Sequence, residues 1–217
     1  AGDADALRAL LAEDAAAADA RAENGDSPLL AALYHGRRDL AELVRGAGRT
    51  LDAHEAAALG DTERLRALLD ADPGAVGRLT HDGWSMLHYA AFFGHVEAVR
   101  LLLARGADPN QLSTSAMRNT PLHAGLSGPL PAEGVRLLLE AGADVSVRQH
   151  GGYAPMHSAA ARGSVQLMEM LRARGAETDP VADDGRRPVD FARERGHADA
   201  MAWLRAHGAA EPAAAGN

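Results

Sequence analysis

A chain of 217 residues with 47% hydrophobic composition can bury the core of one large domain or two small ones. Its net charge of −8, with arginine as the only basic residue besides histidine, argues against nucleic acid or an anionic membrane surface as partner. The absence of cysteine excludes disulfides, thiolate metal sites and cysteine nucleophiles. No run approaches the roughly 18 apolar residues of a membrane span, so membrane insertion is not expected. A cysteine-free chain suits any redox compartment. A cytoplasmic location is the default, and a leader removed ahead of Ala1 would leave the same sequence.

Much of the apolar content is alanine, which favours helices packed at short range. Two sequence ladders share one period. Ala53-His54, Leu87-His88, Leu122-His123, Met156-His157 and Val189-Asp190 recur every 33 to 35 residues. Arg105-Gly106-Ala107-Asp108, Ala141-Gly142-Ala143-Asp144, Arg174-Gly175-Ala176-Glu177 and His207-Gly208-Ala209 run beside them. A fixed period of this length marks a stacked-repeat architecture.

Within one unit, Thr120-Pro121 reads as an N-cap and first helical position. Leu87, Ala90 and Ala91 line one face of a short first helix, which Gly94 ends. Val99, Leu102 and Leu103 stripe a second helix that stops at Gly106. An extended loop, expected as a β-turn finger, leads to the next unit. Neither helix is long enough to stand alone, so neighbours must stack.

In chain order, residues 1–24 form a partial unit. Gly2-Asp3 is expected as a loop, and Leu7, Leu10 and Leu11 stripe a second helix with no first-helix partner, so the chain is expected to begin inside a repeat. Further units follow at about 25–52, 53–83, 84–118, 119–151 and 152–184. Only 24 residues separate Gly36 from Gly60, so the finger between those two units is cut short. The loop over residues 111–118 is two residues longer than its counterparts, and Ser127-Gly128-Pro129 adds another between two helices. Residues 185–211 form a polar capping unit within a single domain spanning 1–211, and 212–217 a flexible tail.

Thr120-Pro121-Leu122-His123, Gly94-His95, Val135-Arg136-Leu137-Leu138-Leu139 and Gly142-Ala143-Asp144-Val145 resemble the ankyrin repeat, here in a form expected to be bacterial. The resemblance covers nearly all of residues 1–211. It implies an all-α solenoid of helix-turn-helix units with short β-turn fingers. It also implies a non-enzymatic scaffold that binds another protein or peptide through a concave face. The alternative is an accessory or regulatory fragment of a larger protein or enzyme complex, including an immunity-type inhibitor.

The ten histidines do not form a metal set, since His54, His88, His123 and His157 fall in separate units and read as imidazoles bonding backbone between repeats. His54-Glu55 lacks a second histidine at Ala58, so the zinc-protease pattern fails. Asp179, Asp183, Asp184 and Asp190 lack calcium-loop spacing and read as a solvated loop. Gly46-Ala47-Gly48 lacks the third glycine of a dinucleotide loop. Neither a catalytic set nor a cofactor is expected.

In ankyrin-like proteins the finger tips and first-helix ends contact partners. Carried over, this points to Trp84, Asn119 and Tyr153 in the fingers, and to Tyr34, His35, Leu59, Phe92, Phe93 and Arg162 before the helix-ending glycines. Tyr89 and Phe191 match an inward position and are expected in the core. Trp84, Phe92 and Phe93, with Tyr34, Leu59 and Tyr153, would form an apolar strip on the inner curve, and exposed apolar strips mark interaction sites. A monomer is expected, although the same strip could serve self-association.

Overall fold

The computed structural model describes residues 2–23, 25–48 and 50–209. The described residues fold as helices and connecting loops. Leu79 and Ser85 form an isolated antiparallel bridge. Six first helices alternate with seven second helices. The first helices are α2 (Pro28–Tyr34), α4 (Ala53–Leu59), α6 (Met86–Phe92), α8 (Pro121–Ser127), α10 (Pro155–Ala161) and α12 (Pro188–Glu194). The second helices are α1 (Gly2–Glu13), α3 (Arg38–Gly46), α5 (Thr62–Ala71), α7 (Val96–Ala104), α9 (Ala132–Glu140), α11 (Val165–Ala173) and α13 (Ala198–Ala206). The segment 212–217, expected as a tail, lies outside the described residues.

Each first helix is seven residues long because both its ends are dictated locally. Ser27, Asp52, Ser85 and Thr120 cap the starts through their side chains, and proline opens α2, α8, α10 and α12. Left-handed glycines such as Gly60 and Gly94 end them. Two turns cannot persist in isolation, so stability comes from stacking. α6 packs against α4 and α8, α10 against α12, and α7 against α5 and α9. Alanines such as Ala56, Ala57, Ala90, Ala91, Ala159 and Ala160, all buried, allow the close approach.

Two departures from expectation arise at the N-terminal side. Gly2-Asp3 is not a loop but the first turn of α1, which packs on α3 as a second helix does. His54 is not the counterpart of His88. Counted from the N-caps, the third helical position holds Glu55, His88, His123, His157 and Asp190, each of which reaches back to its cap. Glu55 is fully buried and accepts the Asp52 backbone N–H at 3.1 Å.

The histidines of this series bond as neutral imidazoles. His88 Nδ1 accepts the Ser85 backbone N–H at 3.3 Å, so Nε2 carries the proton and donates to the Asn119 carbonyl of the next unit at 3.1 Å. His157 does the same between Ala154 and Arg186. His123 keeps the cap bond at Nδ1, while its buried Nε2 lacks a hydrogen-bond partner among the described residues. Burial lowers the pKa of both His88 and His123 from 6.5 to about 4.

The unfolded chain takes up these two protons near pH 6.5, whereas the folded chain resists them until about pH 4. Between those values the unfolded state binds more protons, so stability is complete above pH 6.5 and is lost as pH falls towards 4. The expected slope is up to about 1.4 kcal/mol per pH unit for each histidine. Urea unfolding across this window checks it. The assignment is wrong if the double variant His88→Gln, His123→Gln keeps the wild-type slope.

The fingers are tight hairpins tied to one another. Thr80 N–H donates to Trp84 O, Ser113 N–H to Asn119 O, Gln149 N–H to Tyr153 O and Ala182 N–H to Arg186 O. Single backbone bonds link neighbours: Thr114 to Gly83, His150 to Met117, and Asp183 to Gly151. Ahead of α4 the described residues form no such hairpin, since α3 ends at Gly46 and α4 begins at Ala53. The finger at 80–84 therefore meets the first one, at 22–26, and His81 Nε2 lies 3.1 Å from Asp26 Oδ1.

Candidate functional site

The missing finger assembles the aromatic patch. With no hairpin between them, Tyr34 at the end of α2 reaches past α4 to the finger before α6. Its hydroxyl donates to Asp82 Oδ2 at 3.0 Å, and Tyr89 donates to the same oxygen at 2.8 Å. Asp82 Oδ1 accepts the Trp84 backbone N–H at 3.2 Å and the Thr80 hydroxyl. Burial pushes the Asp82 carboxyl up, but these hydrogen bonds outweigh it and hold it below the usual carboxylate range. Burial first, then Tyr89 and Asp82, raise Tyr34; burial also raises Tyr89, with Asp82 adding to it and the Thr80 and Tyr34 hydrogen bonds opposing it in part, so both stay protonated donors.

Around this carboxylate the rings interlock. Tyr34 lies 6.4 Å from Trp84, 6.2 Å from Phe92 and 5.7 Å from Phe93, centroid to centroid. Trp84 meets Phe92 edge-on at 5.2 Å and Tyr89 edge-on at 5.4 Å. Tyr89 is fully buried, as expected. Tyr34 is 38% exposed, and Trp84 and Phe92 are part-exposed. Phe93 is also part-exposed, and both it and Trp84 pack on the core. Four of the nine expected contact residues thus come together at one place.

The others do not join it. Leu59 is 6% exposed and belongs to the core. It is the last residue of α4, directly before Gly60, and packs inward there. Asn119 is also 6% exposed. The lengthened loop folds back so that Ser113 Oγ donates to Asn119 Oδ1 at 2.7 Å and accepts the Asn119 N–H at 3.1 Å. Neither residue offers contact area. His35 lines a separate apolar groove with Leu7, Pro28 and Leu40.

Tyr153 and Arg162 lie in a second feature, a cleft of about 330 Å³ between α8, α10 and α12. Register explains it. Counted from the first helical residue, Ser158 stands where Tyr89 does and Ala161 where Phe92 does. Small side chains at those two places leave open the volume that rings fill one patch away. Apolar walls come from Met117, Tyr153 and Phe191. Met117 is 48% exposed. Phe191, expected in the core, is part-exposed because no further helix pair covers α12 among the described residues, and the Arg186 guanidinium sits 3.8 Å above its ring. Met117 and Arg195 also went unrecognised, although the lengthened loop and the repeat register mark both.

Arg162 and Arg195 rim the cleft, both one step past a first helix, where Phe93 stands in the aromatic patch. Arg162 Nη1 donates to Gly125 O at 3.2 Å and Leu130 O at 3.0 Å, carbonyls freed by the irregular end of α8. Burial lowers its pKa. Elsewhere arginines pair with carboxylates of neighbouring units, as Arg105 does with Asp70 at 2.7 Å and Arg148 with Glu177 at 3.2 Å. The described residues hold no cluster of three metal-ligating side chains, and no described helix is long and apolar enough to cross a membrane.

Stacked helix pairs with aligned fingers define a repeat solenoid. The family described as "Ankyrin repeats (3 copies)" matches residues 53–149, so this part of the chain consists of ankyrin repeats, a module that mediates protein–protein interaction. The chain is 38% identical over 117 residues to the B-cell lymphoma 3 protein homolog of Mus musculus, covering 52% of this chain and 26% of that protein. It is 34% identical over 127 residues to the nuclear factor NF-kappa-B p105 subunit of Gallus gallus, covering 57% and 13%. It is 44% identical over 78 residues to the E3 ubiquitin-protein ligase XB3 of Oryza sativa subsp. japonica, covering 34% and 17%. The chain thus spans about a quarter or less of these curated relatives. They come from animals and a plant, and give the expected bacterial kinship no support.

Proposed function

We propose that the chain is a non-catalytic scaffold that binds another protein or a peptide through the concave face of first-helix ends and fingers. Trp84, Phe92 and Tyr34 are its anchor. The observation that carries this reading is the Tyr34–Trp84–Phe92 cluster. It joins rings from two units across a third, leaves them part-exposed, and fixes them through Asp82. Pre-ordered aromatic side chains lose little entropy on binding and are typical interface anchors.

A second reading, an accessory or regulatory part of a larger protein or complex, draws on the small share of each relative that the chain spans. It would use the same face.

The test is the double variant Trp84→Ser, Phe92→Ser, with a thermal scan to verify that it stays folded, since Trp84, like Phe93, also packs on the core. Removal of two anchors is expected to cost about 4 kcal/mol of binding, close to a thousandfold, with the free chain still folding cooperatively at a thermal transition lowered by the lost Trp84 packing. Partners identified by affinity capture with the wild-type chain, then titrated against both forms, provide the measurement. Equal affinity for a correctly folded double variant would remove this surface from consideration.

A further inference from the structure

The cleft between α8, α10 and α12 combines an apolar lining with cations that the chain itself does not neutralise. Its lining includes Arg162 and Arg195 and no aspartate or glutamate, in a protein whose net charge is −8. Neither arginine has a carboxylate partner among the described residues. Arg162 spends Nη1 on two backbone carbonyls, leaving the Nε and Nη2 donors of its fork without a protein acceptor there. The nearby carboxylates are already engaged, Asp184 by the Tyr153 hydroxyl at 2.6 Å and Glu194 by Arg186. By contrast, the cleft around Arg38 and Arg45 contains Glu42, Asp61 and Glu63, which balance its cations.

Resting on the concave-face reading above, we propose that this cleft receives an acidic segment of the partner polypeptide. An apolar side chain lodges against Met117, Tyr153 and Phe191, and a neighbouring Asp or Glu carboxylate pairs with Arg162 and Arg195. The arginine fork matches a carboxylate in geometry as well as charge, and at Arg162, which is part-buried while Arg195 is exposed, water competes less. The Tyr34–Trp84–Phe92 patch then supplies apolar contact area, while the cleft selects for charge. Such a division makes binding salt-sensitive at one end of the face and salt-insensitive at the other.

A displayed library of random short peptides, selected against the wild-type chain, Arg195→Glu and the Trp84→Ser, Phe92→Ser variant, tests this. Among the described residues Arg195 makes no side-chain hydrogen bond or ion pair and is exposed, so its reversal is expected to leave the fold intact, which a thermal scan verifies. The wild type is expected to enrich peptides with Asp or Glu beside an aromatic or aliphatic residue. A selected peptide should bind about tenfold more weakly after Glu→Gln replacement, and at least as much more weakly to Arg195→Glu.

Enrichment of neutral peptides, failure to enrich any, or affinity for the acidic peptide unchanged by Arg195→Glu would each overturn the proposal. So would a peptide whose binding disappears on amidation of its C-terminus, since the recognised group would then be the chain end. Peptides that respond to Trp84→Ser, Phe92→Ser but not to Arg195→Glu keep the concave-face reading and sink the acidic cleft. Peptides indifferent to both sets of changes sink both.

Discussion

Tyr89→Ala is expected to lower stability by about 4 kcal/mol, while Tyr89→Phe costs about 1.5 kcal/mol. The first change empties a fully buried ring site bordered by His54, Trp84 and Phe93. The second keeps the ring and removes one of the hydroxyl donors to Asp82. Burial by itself opposes the Asp82 charge, so a lost donor costs more here than at an open surface. Urea unfolding of the two variants beside Asp82→Asn separates ring volume from the hydrogen-bond network. If Tyr89→Phe proves as damaging as Tyr89→Ala, the hydroxyl and not the ring holds this region together. Function should follow stability, because the network that fixes Tyr89 also fixes Tyr34 and the finger carrying Trp84.

Gly128→Ala is expected to cost about 3 kcal/mol, more than most exposed glycine substitutions. Its φ of −94° suits any residue, so backbone strain is not the cause. The added Cβ would lie 1.9 Å from the Phe92 carbonyl oxygen and 2.8 Å from its carbon. These are backbone atoms with no rotamer to escape into. Either the end of α6 or the loop after α8 must move, and Phe92 moves with the former. Gly46→Ala is the internal control: outside its own helix backbone and chain neighbours, no described atom lies within 4 Å of the new Cβ, and a gain of about 0.5–1 kcal/mol is expected. Thermal unfolding of both variants measures the difference. A Gly128→Ala protein as stable as wild type would show that the loop yields freely.

Much of the fold was legible because its signals are local. Proline after a capping residue, a glycine two turns later and an apolar stripe define each helix pair without reference to anything distant. The placement of Tyr89 in the core followed from the same register. That register misassigned Phe191, which occupies the matching position on α12 but is part-exposed there. Equivalence in a repeat predicts direction, while burial also needs a neighbour to close over the side chain. His54 and Glu55 show the other limit. The ladder aligned on Leu87-His88 sets His54 34 residues earlier, the same interval as Gly60 to Gly94, yet cap geometry counts forward from Asp52 and Ser85, which are 33 apart, so the two disagree by one residue across α4.

The sequence by itself determined that this protein is a stack of short helix pairs, since its period, caps and alanine-rich faces permit little else. It also marked Trp84 and Phe92 as unlike their counterparts in other units. Only the tertiary structure decided what surrounds them. The shortened linker before α4 brings two fingers together that lie more than fifty residues apart in the chain, and so places Tyr34 on Asp82. Leu59 and Asn119 turned inward because a helix end and a folded-back loop buried them. The cleft at α10 opened because Ser158 and Ala161 leave unfilled what Tyr89 and Phe92 fill. A period fixes which residues are equivalent; packing between units decides which of them face a partner.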